Sequence, residues 1–495
     1  MKKEKKVLII GAGFGGLSAA IRLANAGFEV EVYDRQAHAG GKAGNLAEGG
    51  YRFDTGPSLI TMREVFSQLF EETGRRLDDY LELIPLDTIC TYFFDDGTRL
   101  SARGDPEAFA AEVDAKTGDS AAAVDRYLAY SRGIYEKTSA LFLWNSLHRL
   151  STYTRRDVWK GVLSRGKLDA QRSMDDANRS FFTDPRMVQL FNRYATYNGS
   201  DPYQVPATLN IIPHVEYAMG SYASKNGIYA IPQAMRTVAE ELGVVFHLES
   251  EVERILVEGV RVTGVAGSFG EARADIVISD VDARRTYEDL LKDPEAPYAQ
   301  RYSRLEPSSS GLVFFWGMKS GFPELTVNNI FFSADYPAEF KALFTDLRCP
   351  DDPTVYVNIT GKVSPGDAPE GGENWFVLIN APRNADQDWA AEAQRVRGAV
   401  INRLEKALGR PVAAEIDVEH ILTPDRIESD TGSYYGSLYG ISSNTKTAAF
   451  LRHPARTKRY RGLYFCGGSV HPGGGMPLAI LSGKIAADII RKEEG

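Results

Sequence analysis

The chain has 495 residues, 43% hydrophobic and 25% charged, the make-up of an ordinary globular protein, with a formal net charge of −9. That length calls for two or three packed units, and the acidic balance speaks against general nucleic-acid binding. Three widely spaced cysteines, Cys90, Cys349 and Cys466, give neither a disulfide framework nor a C-x-x-C metal spacing, as expected in a reducing compartment. The N-terminal MKKEKKVLIIGAG turns glycine-rich too early for a signal peptide. No run of about 18 apolar residues predicts a membrane span, which leaves a protein lying on a bilayer surface possible.

Val7 to Ile10 is an apolar run with the length of a buried parallel strand. Gly11, Gly13 and Gly16 follow at G-x-G-x-x-G spacing. Leu17, Ala20, Ile21 and Ala24 then recur at helical spacing, and Gly27 stands where a helix stops. Phe28, Val30 and Val32 alternate with Glu29 and Glu31, predicting a second strand that ends at Asp34, 18 residues past Gly16. Each part suits a dinucleotide. Gly11 allows the tight turn, Gly13 lets backbone N–H groups approach a pyrophosphate, Gly16 lets helix and strand pack closely, and Asp34 can accept from a ribose hydroxyl. The helix N-terminus adds free N–H donors and partial positive charge.

A second glycine loop, Gly40-Gly41-Lys42-Ala43-Gly44, and the segment Tyr51 to Ser58 come next. A nicotinamide site needs no such loop; a longer dinucleotide with a cation at its phosphates does. Residues 64–135 read mostly as helix, helical in character from Glu107 to Tyr130, with one hairpin turning at Asp95-Asp96-Gly97. Leu141 to Trp144 is an apolar, aromatic cluster. From Arg149 to Lys167, six basic residues (Arg149, Arg155, Arg156, Lys160, Arg165, Lys167) stand against one acid, Asp157. This stripe reads as a docking face for an anionic membrane surface or as a solvated amphipathic helix.

Asn198 to Pro202 is dense turn chemistry. Asn226 to Tyr229 leads into a helix from Gln233 to Leu242, then an extended piece from Val244 to Leu248 and alternating valines and isoleucines from Val252 to Ser279. Leu312 to Trp316, Asn329 to Phe332, Val355 to Ile359 and Trp375 to Ile379 predict strands of another sheet. Lys362 to Gly372 is a loop by composition, and Trp389 to Leu408 is a helix. The run Val313-Phe314-Phe315-Trp316 reads first as core, and second as a wall for an elongated apolar ligand. Gly462 to Gly468 is a buried strand ending in glycines. His471-Pro472-Gly473-Gly474-Gly475-Met476-Pro477 follows, then a helix from Leu478 to Ile490, with Pro477 at its first turn. A second strand–glycine–helix junction offers a second cradle of N–H groups.

The order G-x-G-x-x-G, acidic residue, G-G-K and D-T-G-P in the first 60 residues resembles FAD enzymes of the amine oxidase and phytoene desaturase superfamily. The C-terminal G-G-x-x-H-P-G-x-G-x-P string resembles bacterial carotenoid desaturases, as do RYATYNGSDPY, NIIPHVEY, Thr423-Pro424 and Tyr439-Gly440. These strings look nearest to the hydroxycarotenoid 3,4-desaturase branch. The resemblance implies an α/β fold: a Rossmann-like FAD-binding domain, a second mixed-sheet substrate domain and a helical cap, the glutathione-reductase/amine-oxidase-like architecture. Residues 1–85, 226–290 and 455–495 would form the first, 86–130 and 291–454 the second, and 131–225 the cap. The implied FAD contacts are Gly11, Ala12, Gly13, Phe14, Gly15, Gly16, Asp34, Arg35, Gly41, Lys42, Gly56, Pro57, Ser58, Val252, Gly467, Gly468, Gly475, Met476 and Pro477. Asp34 would take the adenosine ribose, Lys42 the pyrophosphate, and Val252 the adenine through its backbone. Lys42 stands where the family more often has Arg, and it is a point charge rather than a fork.

The implied activity introduces C=C bonds into a long polyene in carotenoid biosynthesis, on a hydroxycarotenoid or on phytoene. Hydride would pass to flavin N5 and a proton would leave the neighbouring carbon. The partner is a long apolar carotenoid. The enzyme is then expected in the cytoplasm, in peripheral contact with membrane lipid, with no nucleic acid. The seven histidines show no H-E-x-x-H or H-x-x-x-H metal spacing. No catalytic residue is assigned; His471 reads first as a histidine bonded to backbone in a glycine turn, and second as the candidate for a polar group near the ring. Asp54 reads as fixing the turn before Gly56. Three other readings share the fold: an amine oxidase, a redox-neutral carotene isomerase, and a non-catalytic prenyl-binding carrier like the guanine-nucleotide dissociation inhibitors.

Overall fold

The computed structural model describes residues 5–148, 152, 168–445, 448 and 452–495. Its first sheet has five parallel strands in the order Leu463–Phe465, Ile276–Ser279, Lys6–Ile10, Glu29–Tyr33 and Val245–His247. Val7, Leu8, Ile9, Val277 and Ile278 are fully buried, as strands covered on both faces must be. Ile10 pairs with Ser279, and Ser279 with Phe465. Three strands therefore end in register, and their carboxyl ends form the crevice where open α/β sheets bind ligands.

The helices Phe14–Asn25 and Met476–Glu494 pack closely on this sheet. A β-carbon on Gly483 would lie 2.3 Å from the Gly15 carbonyl oxygen. Ser18 Oγ donates to the Ile480 carbonyl at 2.6 Å, pinning the two helices together.

The second sheet has seven strands, in the order Ile416–Leu422, Ser310–Met318, Glu373–Ala381, Val355–Asn358, Asn328–Phe331, Thr88–Phe93 and Arg99–Arg103. It is mixed, because Asn328–Phe331 runs parallel to Thr88–Phe93 while the other pairs are antiparallel. The strand Ser310–Met318 splits by the two-residue period. Leu312, Phe314 and Trp316 pack with Val396, Val400 and Leu404 of the Trp389–Leu408 helix. Val313 and Phe315 face the other way, with Tyr51, Phe53 and Phe376. A further cluster joins Tyr127, Phe182, Phe191 and Tyr194 to Tyr92 and Phe332.

Several elements differ from expectation, among them the hairpin of Asn45–Glu48 and Tyr51–Asp54, for which no strand was expected. The helical stretch around 107–130 is two helices, Pro106–Lys116 and Ala121–Phe142. Between them the Asp119 carboxylate accepts from the backbone N–H groups of Thr183 (2.8 Å) and Asp184 (3.0 Å), a tertiary tie that breaks the run. The strand Ile416–Leu422 was not anticipated: it forms the sheet's edge, its residues are half-buried, and its IDVEHIL pattern carries three charged or titratable side chains. Arg149, Arg155, Arg156, Lys160, Arg165 and Lys167, the basic stripe, lie outside the described residues. Among the described residues no helix is long and apolar enough to cross a membrane.

Candidate functional site

Because three strands end in register, Gly11, Asp280 and Cys466 leave the sheet side by side. The two glycine loops interlock at this edge. A β-carbon on Gly15 would lie 2.6 Å from the Gly467 nitrogen, and one on Gly13 would lie 2.5 Å from Asp280 Oδ2. Gly467 holds φ +93°, a conformation that strains any side chain. Its N–H donates to Ser482 Oγ at 2.8 Å, which sets the loop against the C-terminal helix.

Asp280, at this edge, is not among the residues that the sequence marked out. Its carboxyl sits among Gly13, Gly15 and Gly467. Burial pushes its pKa up to about 7; the Gly16 N–H, the Cys466 thiol and the Gly13 N–H draw it down, while the Asp34 carboxylate adds to the rise. The available signal was the acid ending the buried run Ile276-Val277-Ile278-Ser279, one residue past where that run was read as stopping.

The other expected residues fall into two groups. Gly13, Phe14, Gly15, Gly41, Lys42, Gly56, Pro57, Ser58, Gly467, Gly468, Gly475, Met476 and Pro477 line a common cavity. Gly11, Ala12, Gly16, Asp34, Arg35 and Val252 are not among its lining residues. Asp34 Oδ2 accepts from the Ala12 N–H at 2.7 Å and Oδ1 from the Gln36 N–H at 2.8 Å, so it braces the first glycine turn. Arg35 donates to the Ser429 carbonyl at 2.7 Å, and Val252 opens the strand Val252–Glu258.

Lys42 Nζ donates to the carbonyls of Ser437 and Leu438, both at 2.9 Å. Burial lowers its pKa to about 8, opposed by the Asp282 carboxylate, so it is mostly cationic at neutral pH. A β-carbon on Gly56 would lie 2.3 Å from the Lys42 carbonyl oxygen, so the 55–58 segment lies directly on the second glycine loop. Asp54 holds that segment from beneath: it accepts from the Ile228 N–H at 2.8 Å and from Arg52 at 3.0 Å. His471 is buried behind the cavity lining, with Nε2 2.8 Å from the Asn145 carbonyl oxygen. Burial lowers its pKa to about 4, so the ring is neutral and holds its turn.

The cavity measures about 810 Å³ and runs on from the glycine loops. One wall is the inner face of the seven-stranded sheet: Val313, Phe315, Phe376, Leu378 and Leu422. The run Val313-Phe314-Phe315-Trp316 thus serves both uses, core on one face and cavity wall on the other. A polar group also lines the cavity. Ser58 and Tyr356 hydroxyls are 2.7 Å apart, and Tyr356 donates to Asn328 Oδ1 at 2.7 Å. Arg193 pairs with Glu216 at 3.5 Å and donates to the Tyr92 hydroxyl at 2.9 Å. Glu216 accepts from Tyr194 at 2.5 Å and from Tyr197.

A pyrophosphate-bearing flavin fits these residues. The glycine loops leave room that a β-carbon would fill, a helix N-terminus supplies N–H donors, Lys42 supplies a cation, and His38 Nδ1, beside the same cavity, is a buried polar atom with no hydrogen-bond partner among the described residues.

Residues 14–491 match the family model described as flavin containing amine oxidoreductase. The chain is 43% identical over 486 residues to the 1-hydroxycarotenoid 3,4-desaturase of Flavobacterium sp. (strain P99-3), covering 98% of this chain and 99% of that one. It is 35% identical to the 4,4'-diapolycopene oxygenase of Methylomonas sp, over 98% of each chain. It is 33% identical to the zeta-carotene-forming phytoene desaturase of Myxococcus xanthus, over 98% of this chain and 93% of that one. Among solved structures, putrescine oxidase bound to putrescine superposes with a TM-score of 0.64 at 15% identity, over 99% of each chain. Cyclohexylamine oxidase from Brevibacterium oxydans IH-35A gives 0.62 at 18%, again over 99% of each. These two likenesses speak to the fold alone.

Proposed function

The chain belongs to the carotenoid desaturases of the flavin-containing amine oxidoreductase family, and from that we propose that it introduces C=C bonds into a long polyene in carotenoid biosynthesis, on a hydroxycarotenoid or on phytoene. FAD, when bound, supplies the oxidising power as a hydride acceptor. The two glycine loops and Lys42 are the residues to hold its pyrophosphate; Gly56, Pro57, Ser58, Gly475 and Met476 are those to border its ring. The structural observation that supports this reading is a continuous cavity with a glycine cradle at one part and an apolar sheet face along another. A hydrocarbon chain offers nothing to hydrogen-bond along its length. The protein's contribution is then to align a C–C bond with the cofactor and to exclude water, through Val313, Phe315, Phe376 and Leu378.

A substrate this apolar resides in lipid. Peripheral docking on an anionic bilayer through the Arg149–Lys167 stripe completes the reading, supported by six basic residues against one acid on an acidic chain. The test is expression in cells that accumulate different carotenes, followed by chromatography. A more unsaturated pigment is expected; a flavin-loaded protein that leaves every pigment unchanged overturns the reading.

A further inference from the structure

Two polar groups at this cavity are buried without a partner. The Tyr336 hydroxyl, on a residue only 4% exposed, has no hydrogen-bond partner among the described residues, and Arg193 Nε–H has none either. Both residues line the cavity. An unpaired buried donor is costly unless something arrives to accept from it. Neither is idle for want of order. Tyr336 sits in the first turn of the Tyr336–Lys341 helix, wedged edge-on against Phe332 and Phe340. The Arg193 guanidinium lies over the Tyr194 ring at 4.3 Å, with Tyr197 and Tyr92 at 5.2 and 5.4 Å.

The charge balance narrows what they take. Arg193 is already neutralised by Glu216, whose carboxylate is filled by Tyr194 and Tyr197. A carboxylate entering this buried site would be one negative charge too many. A neutral oxygen can accept from an N–H or an O–H donor without adding charge. Resting on the desaturase reading, we propose that Tyr336 and Arg193 form a subsite for a hydroxyl or carbonyl at one end of the polyene, whose apolar length lies along the Val313 and Phe315 wall.

The test uses flavin-loaded enzyme and three polyenes of equal length, one a hydrocarbon, one with a terminal hydroxyl and one with a terminal carbonyl. Dissociation constants are read from the change in polyene absorbance, and kcat/KM from product. Wild-type enzyme is expected to bind an oxygenated chain at least about tenfold more tightly than the hydrocarbon. Tyr336→Phe removes a hydroxyl with no hydrogen-bond partner among the described residues, so its melting temperature stays within a degree or two while the preference shrinks toward one, chiefly in KM. Arg193→Lys, which keeps the charge and loses Nε–H, is the second arm. A preference for only one of the two oxygenated chains fixes which function the subsite takes. Equal binding of all three chains by wild type, or an undiminished preference in Tyr336→Phe, overturns the subsite. Absence of turnover on every chain overturns the desaturase reading instead, and the binding constants still decide the subsite.

Discussion

Gly15 and Gly467 come from opposite ends of the chain and meet so closely that a β-carbon on Gly15 would lie 2.6 Å from the Gly467 nitrogen. Gly15→Ala therefore forces the two loops apart, at a cost typical of overpacking, about 1–3 kcal/mol. The expected result is a folded protein with a lower flavin-to-protein absorbance ratio. Gly27→Ala is the control. Unlike Gly15 it carries a positive φ, +85°, and a β-carbon there meets nothing within 4 Å. It should lose some stability and keep its flavin. Full flavin content in Gly15→Ala removes the argument that the two loops share one cofactor.

Phe314 and Phe315 are neighbours with opposite duties. Phe314 is fully buried in the core against the Trp389–Leu408 helix, and Phe315 faces the cavity. Phe314→Ala should cost about 3–5 kcal/mol in denaturant unfolding and leave the pigment pattern of the surviving enzyme unaltered. Phe315→Ala should cost less and change which polyenes are turned over. Chromatography and unfolding curves on both variants check the split; the same product shift in both would place the cavity on neither face.

The first glycine unit was legible because its signals are local. Strand, turn, helix and acid follow one another within Val7 to Asp34, and each constrains the next. Asp280 was not legible, because its meaning depends on three strands ending in register, a pairing that no local pattern records. Arg193, Glu216 and Tyr336 belong to separate elements and gain their roles only when these pack around one cavity. The strand Ile416–Leu422 hid behind the mixed polarity of an edge position. Val313 to Trp316 had two readings in sequence, and alternation along the strand assigns one to each face.

Replacing Arg155, Arg156 and Lys160 with glutamine should weaken attachment to anionic vesicles. Each basic residue near such a surface contributes about 1 kcal/mol at moderate salt, so the three together amount to roughly a hundredfold in partitioning. Co-sedimentation with anionic vesicles at low salt should fall, and the residual binding to uncharged vesicles should be the same in both proteins. Unchanged sedimentation with anionic vesicles makes the stripe a solvated face.

Asp280 links the cradle to pH. Burial raises its pKa to about 7, above the ordinary carboxyl value, so the native state favours the protonated form. Its contribution to stability is complete below about pH 4 and is lost as pH rises through about 7. The shift corresponds to at most roughly 4 kcal/mol. Asp34 and Asp282, also raised by burial, add slopes of their own. The informative quantity is therefore the difference between wild type and Asp280→Asn, whose amide cannot ionise. Cofactor-free wild type should lose melting temperature more steeply than Asp280→Asn between pH 4.5 and 7.5. Flavin affinity should follow the same sign, because an ionised carboxylate among Gly13, Gly15 and Gly467 repels an incoming pyrophosphate. Wild-type affinity should weaken as pH rises toward 7.5 while that of Asp280→Asn stays nearly level. Parallel pH profiles for the two proteins would show that burial of this carboxyl carries no linkage between pH 4.5 and 7.5.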